Sequence, residues 1–187
     1  MLFVCSCAGC SVTTNGQTLI GARAGLNITT GASNVAMGLS SACLTTTGAY
    51  NVAIGAVALR DQTTGACNTA IGYAALLNPA ATIRSTAVGN YAGQSMGSNC
   101  AGSGHNVAIG YQAGASATST VCSVYIGNCA GLGANANCSI AIGDRAGYAP
   151  DNGPFIAIGT SSLRNTATAT RSIAIGECAA YSSRCPD

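Results

Sequence analysis

The sequence contains few charged residues. Charged side chains make up 6% of the 187 residues, the formal net charge is +2, and the seven basic residues are all arginines scattered along the chain. Proteins that bind nucleic acid place clustered Lys and Arg side chains against the phosphates. The sequence has no such cluster, so we expect no nucleic-acid partner.

Acidic residues and histidine are also scarce. The acids are isolated from one another along the chain, and His105 is the only histidine. Catalytic triads and acid–base pairs need several such groups in one constellation, and calcium-binding β-rolls need Asp in their repeats. We therefore expect no catalytic, cofactor-binding or metal-binding residues, and a protein that is not an enzyme.

Long apolar runs are missing as well. Hydrophobic residues reach 48% of the sequence, but many of them are alanine. No run approaches the ~20 apolar residues that are needed to cross a bilayer. We therefore expect no membrane-spanning segment.

The sequence does contain a repeat. The segment Asn51–Gly55, Asn-Val-Ala-Ile-Gly, recurs in ten related copies whose closing glycines lie 16 or 17 residues apart, except for one interval of 21. A fixed period of this length is typical of a solenoid. We predict an all-β fold, a parallel β-solenoid (β-roll) of about ten coils over residues 15–181, between an apolar Cys-rich lead (1–14) and a tail (182–187). The predicted turn glycines are Gly21, Gly38, Gly55, Gly72, Gly89, Gly110, Gly127, Gly143, Gly159 and Gly176.

Each copy places bulky aliphatic residues on one side of a short strand and alanine on the other. A β-branched residue stands three positions before the glycine and an aliphatic residue one position before it, with alanine between them in most copies. Successive side chains of a strand point to opposite faces. We expect the aliphatic pair to fill the core and the alanines to form an exposed stripe that a second chain covers. The predicted core residues are Val52, Ile54, Ile71, Ile109, Ile126, Ile142, Ile158 and Ile175.

A polar column stands four residues before the glycine. It holds Asn or Ser in most copies: Asn34, Asn51, Asn68, Ser85, Asn106, Ser123, Ser139 and Ser172. These side chains bond to backbone groups at turns. In coils that stack in register, we expect them to form a polar ladder.

The eleven cysteines favour an oxidising or extracellular setting. Cys122 and Cys138 occupy the same column in adjacent coils and form a candidate disulfide within the chain. Cysteines near the two ends of the chain are candidates for bonds between consecutive subunits: Cys5, Cys7, Cys10 and Cys185. Two alternatives stay open: cysteines that are small buried apolar residues, and zinc at the N-terminal cluster.

The interval of 21 residues contains four additional residues, somewhere in 94–105. Insertions in a solenoid go to loops on one face. This loop is therefore the candidate for a protruding contact site.

The motif Asn-Val-Ala-Ile-Gly with a downstream alanine resembles the head repeat of trimeric autotransporter adhesins, the YadA-like head. The segment Asn68–Tyr73 is similar to the Asn-Thr-Ala-Ile-Gly-Tyr arrays of some phage and large-virus fibre proteins. The resemblance covers about residues 15–181. It implies a left-handed parallel β-roll, usually with three chains around an axis, and adhesive or fibre-forming roles.

We expect a non-enzymatic structural subunit of an extracellular filament or virion fibre. In this hypothesis its partner is itself, as a trimer or an end-to-end filament, assembled through the solenoid ends and the alanine-lined face, with disulfide cross-links. The alternative is a surface adhesin or receptor-binding module with a cell-surface ligand. Ice binding is a third function, because ice-binding solenoids use regular Thr arrays and a Thr-Thr-Gly segment recurs three times. Each of these roles places the protein outside the cell, on a cell surface or in a virion.

Overall fold

The structure, a computed structural model, describes residues 2–4, 6–79, 82–98, 104–149, 153–165 and 171–181. It confirms the predicted fold class: the described chain is all-β and forms a parallel β-solenoid with one eleven-stranded sheet, whose strands follow one another in chain order. The strands are β1 (Leu2–Val4), β2 (Thr18–Ile20), β3 (Val35–Met37), β4 (Val52–Ile54), β5 (Thr69–Ile71), β6 (Thr86–Val88), β7 (Val107–Ile109), β8 (Val124–Ile126), β9 (Ile140–Ile142), β10 (Phe155–Ile158) and β11 (Ser172–Ile175).

Equivalent residues of successive coils lie above one another. Ala36 of β3 pairs with Ala53 of β4, and Ala53 pairs with Ala70 of β5. The ten predicted turn glycines share one corner, with φ between 121° and 135°. At Gly55 a Cβ atom would lie 2.5 Å from the carbonyl oxygen of Gly72 in the next coil. Both the backbone angle and the close coil-to-coil approach therefore require glycine here.

The solenoid begins before the predicted boundary at residue 15. Strand β1 pairs in parallel with β2, with Leu2 opposite Thr18 and Val4 opposite Ile20. The expected lead thus supplies a further coil. The sequence concealed it because Cys5 stands where the other copies have a glycine. The predicted tail, 182–187, lies outside the described residues.

The prediction that the aliphatic residues fill the core is wrong. Within the strands, the alanines are fully buried, for example Ala53 and Ala108, each 0% exposed. The predicted core residues point outward instead: Ile71, Ile109, Ile142 and Ile175 are exposed, and Val52, Ile54, Ile126 and Ile158 are half-buried. The expected exposed alanine stripe is wrong for the same reason. The interior of each coil is narrow, and a second buried alanine or serine stands three residues after each corner glycine except Gly176, where Ala179 is half-buried.

Large side chains in the core lie beside small residues. The ring of Tyr125 replaces an alanine in β8 and is fully buried. It lies between Gly114 and Gly131, where added Cβ atoms would be 2.7 Å and 2.2 Å from ring carbons of Tyr125. In β4 the strand centre is the small Ala53, and a buried leucine, Leu59, occupies the position equivalent to Gly131. In these two coils a large residue at one of the two positions is matched by a small residue at the other.

The predicted polar ladder is confirmed. Asn51 is buried, its Oδ1 accepts a bond from the backbone N–H of Asn68 at 3.0 Å, and its Nδ2 donates to the carbonyl of Gly65 at 2.9 Å. Asn34 makes the same two bonds one coil earlier, to Asn51 N–H and to the carbonyl of Gly48. Each amide thus satisfies two buried backbone groups of the next coil and fixes the stacking register.

Candidate assembly face

One surface of the solenoid is largely apolar, with six of its residues exposed and the others half-buried. It consists of the outward side chains of the sheet, in two columns that we call the outer face. The first column is Thr18, Val35, Val52, Thr69, Thr86, Val107, Val124, Ile140, Ile156 and Ile173. The second column is Ile20, Met37, Ile54, Ile71, Val88, Ile109, Ile126, Ile142, Ile158 and Ile175.

The outer face is long and uncharged. The ten strands that form it, at ~4.8 Å spacing, extend for ~43 Å, and three residues of each strand span ~10 Å, so the strands alone present roughly 400 Å². No member of either column is charged, and Ile71 and Ile109 are 37% and 39% exposed. The largest apolar patch on a monomer is often functional, so this face is the candidate interaction surface.

Exposed residues border this face on the side where the chain enters each strand. We call them the leading edge; each lies five residues before a corner glycine and has a left-handed φ between 53° and 62°. They are Ser33, Tyr50, Cys67, Arg84, His105, Cys122, Cys138 and Arg171. Cys138 and Arg171 line a shallow cleft together with Ile156 and Ile173 of the outer face. The leading edge therefore adjoins the apolar columns directly.

The opposite border, which we call the trailing edge, consists of the two residues that follow each corner glycine. It includes a stack of three tyrosines from successive coils. The rings of Tyr73 and Tyr91 pack edge to face with centroids 5.2 Å apart, and Tyr91 packs in the same way on Tyr111 at 6.4 Å. A hydrogen bond with Tyr73 is the main cause that raises the pKa of the Tyr91 hydroxyl. Sequence reasoning missed this stack because its members do not all occupy the same repeat position.

The trailing edge also holds Cys129. Its Sγ lies 3.7 Å from Oε1 of Gln112 and 3.7 Å from Oδ1 of Asn128. Desolvation raises the pKa of the Cys129 thiol, the nearby Arg145 opposes that shift, and Asp144 adds to it. This thiol is half-buried, whereas Cys178, at the equivalent position three coils further along, is exposed.

The predicted disulfide between Cys122 and Cys138 is absent: both thiols are free and exposed in adjacent coils of the leading edge. Side chains at equivalent positions of stacked coils point the same way, whereas a disulfide needs converging Cβ directions. Cys7 and Cys10 are free and exposed in the first coil, and Cys43 alone of the described cysteines is buried. Cys5 and Cys185 lie outside the described residues, so the proposed bonds between solenoid ends stay a prediction.

The four-residue insertion is only partly a surface feature. Of the loop 94–105, residues 99–103 lie outside the described part of the chain. Met96 in this loop is fully buried and packs at Gly93 and Gly114. His105 is exposed, and its N–H donates to the carbonyl of Ile83. The first half of the insertion thus contributes to the core of its coil, while His105 belongs to the leading edge.

The Thr-Thr-Gly segments form one corner of the coil. The hydroxyl of Thr29 donates to the carbonyl of Thr46 at 3.2 Å, and that of Thr46 donates to the carbonyl of Thr63 at 3.1 Å. These hydroxyls therefore bond the coils to one another. The second threonine of each segment, Thr30, Thr47 or Thr64, is exposed to the solvent.

The remaining polar groups show no reactive constellation in the described ranges. No group of three or more His, Cys, Asp or Glu side chains lies close enough to hold a metal. Within those same ranges, no helix is long and apolar enough to cross a membrane. Comparison with known protein families, with curated proteins and with solved structures gives no match. The outer face and its two edges are therefore the candidate functional site.

Proposed function

We propose that this protein is a structural subunit of an extracellular or virion fibre, in which copies of the chain associate side by side through their outer faces. The observation that supports this proposal is the uncharged aliphatic surface along the whole sheet. Ile71, Ile109 and Ile142 project into solvent there while alanines fill the interior. The proposal replaces the alanine-lined face of the sequence hypothesis with the opposite side of the same strands.

The area of the face favours association. Burying roughly 400 Å² of apolar surface contributes on the order of 10 kcal/mol before the entropic cost of association. The two edges enlarge the contact toward the ~800 Å² per partner of a standard interface. A second copy of the chain is the occupant we propose, because the partner face must be equally long, flat and uncharged.

A rotational arrangement with solenoid axes parallel suits this surface. The outer face changes along its length: Thr69 and Thr86 occupy its first column in the middle, and Ile140, Ile156 and Ile173 occupy it toward the last coil. Parallel axes place each coil at the height of the same coil in the partner, so isoleucine meets isoleucine. Closed rotational symmetry is also the commonest form of homo-oligomer. Three chains around the axis is the number that the resemblance to YadA-like heads implies.

The test is the mass of the full-length protein in solution under reducing conditions, by sedimentation equilibrium. We expect a homo-oligomer for the native chain and a monomer for Ile109→Glu/Ile142→Glu, because two carboxylates per chain would be buried unpaired in the interface. The matched control is Thr47→Glu/Thr64→Glu, which adds the same charge at exposed corner residues and should leave the oligomer intact. A native chain that stays monomeric at high concentration would contradict the proposal.

The tyrosine stack favours the second candidate function, a receptor-binding or adhesin module. Tyr73 and Tyr111 are exposed aromatic residues of a kind enriched at binding sites. Loss of cell-surface binding by Tyr73→Ser/Tyr111→Ser, with the oligomer unchanged, would support this role. Ice binding through the threonine corner has less support because the exposed second threonine of the Thr-Thr-Gly segment recurs in only three coils, and a thermal-hysteresis assay tests it.

A further inference from the structure

Cys122 and Cys129 lie on opposite borders of the same strand. Cys122 is on the leading edge just before β8, and Cys129 is on the trailing edge just after it. Extended backbone rises ~3.3 Å per residue, so roughly 15–20 Å separates the two positions within one chain. That is far beyond the Cα separation of a disulfide. These two thiols therefore have no route to each other inside a single subunit.

A second subunit, related to the first by rotation about an axis parallel to the solenoid, can bring a Cys129 close to Cys122. Such an operation keeps every coil at its height and places the leading edge of one chain beside the trailing edge of the next. We infer that Cys122 of one subunit and Cys129 of the partner subunit form an interchain disulfide at the level of β8. This inference rests on the side-by-side association proposed above and adds a covalent cross-link to it.

Other coils support this edge-to-edge arrangement independently of the cysteines. In the last described coil the leading edge holds Arg171 and the trailing edge holds Glu177, which are opposite charges. In the coil of β6 the leading edge holds Arg84 and the trailing edge holds Tyr91, the components of a cation–π contact. In these two coils the edges thus carry complementary groups, and the coil of β8 alone among the described coils carries a cysteine on both edges. The two ion pairs within the described part of the chain use other residues.

An antiparallel arrangement would not give this match. A two-fold axis perpendicular to the solenoid places leading edge against leading edge, with the order of the coils reversed. Cys122 would then face coils nearer the first strands, where Cys67 is the leading-edge thiol. The pair of cysteines that forms the disulfide therefore distinguishes a parallel from an antiparallel arrangement of the subunits.

The reaction is a two-electron oxidation by a small-molecule disulfide, for which we take oxidised glutathione. The Cys122 thiolate attacks the glutathione disulfide, and one glutathione leaves as its thiolate. The Cys129 thiolate of the partner subunit then attacks the Cys122 sulfur of the mixed disulfide and displaces the second glutathione. One protein S–S bond forms, and the two glutathione thiolates take up the two protons that the protein thiols release.

The experiment incubates the full-length protein with oxidised glutathione, blocks the remaining thiols, and separates the products on a denaturing gel without reductant. We expect a band at the size of the oligomer, which disappears with reductant and is lost in Cys122→Ser and in Cys129→Ser. Cys138→Ser and Cys67→Ser, which remove the other leading-edge thiols, should retain the band. Mass spectrometry of the digested band should identify a peptide pair that joins Cys122 to Cys129.

The outcomes separate this inference from the proposed function. An oligomer under reducing conditions that gives no Cys122–Cys129 peptide pair after oxidation overturns the cross-link and leaves the assembly proposal standing. A Cys67–Cys122 or Cys122–Cys138 pair in place of the expected one also overturns it. A native chain that is monomeric under reducing conditions overturns the assembly, and the cross-link with it.

Discussion

The inner and outer sides of the same strand show opposite relations between residue size and burial. In β4 the inward Ala53 is fully buried, while the larger and more hydrophobic Ile54 on the other side is partly exposed. In an ordinary domain the larger aliphatic residue would be inside. The narrow width of the coil therefore decides which side of the strand is buried in a single chain. The aliphatic side chains on the outer side of the strands then remain free to contact a second chain.

The largest effect is expected where the interior is already full. Gly131→Ala should destabilise the protein by about 4 kcal/mol, because the new Cβ meets the Tyr125 ring and the residue keeps a left-handed φ of 61°. Gly133→Ala is the matched control, because φ there is 72° and an added Cβ atom would lie 3.9 Å from Cα of Ala149. It should cost about 1 kcal/mol, the strain alone. Equal losses in urea denaturation would refute the packing account of Tyr125.

The second prediction compares a substitution on the inner side of β4 with one on its outer side. On the dissociated background of Ile109→Glu/Ile142→Glu, Ala53→Leu should lower the free energy of unfolding by about 3 kcal/mol, since three carbons enter a filled interior. Ile54→Ala on the same background should lower it by less than about 1 kcal/mol, because its side chain is already partly solvated in the single chain. The reverse order of the two losses would mean that the aliphatic side is the core.

The third effect concerns the buried hydroxyl of Tyr125. Desolvation raises its pKa to about 12, a shift that a bond with Ser123 partly opposes. The folded state favours the neutral hydroxyl. Its contribution to the free energy of unfolding is therefore complete below about pH 10 and is lost as the pH rises from about 10 to about 12. The loss should approach about 3 kcal/mol. Tyr125→Phe removes this titration, so the native and variant stabilities should converge or cross over that range; parallel curves would contradict it.

The sequence predicted the period, the turn glycines and the polar ladder, because each depends on one residue type at one position. It did not predict which side of the strand faces inward. Alternation separates two sides but does not distinguish them when both are apolar, as Ala53 and Ile54 are. The pairing of Tyr125 with Gly131, and of Ala53 with Leu59, was visible in the columns. Its meaning required knowing that these positions meet inside the coil.

The edges of the outer face were harder to predict than its columns. Cys122 and Cys129 are seven residues apart in sequence, and nothing in the spacing says that a strand lies between them with its borders facing different neighbours. The direction of the strand and its position in the stack are needed to place Cys122 on the leading edge and Cys129 on the trailing edge.

If copies of the chain cover the outer face, methionine oxidation will show it. Met37 belongs to that face and is 36% exposed in the single chain, whereas Met96 is fully buried in the core. Dilute hydrogen peroxide with peptide mass spectrometry reports the sulfoxide at each position. We predict that Met37 is protected in the native protein and oxidised in Ile109→Glu/Ile142→Glu, with Met96 protected in both. Equally fast oxidation of Met37 in the native protein and in the variant would contradict the account.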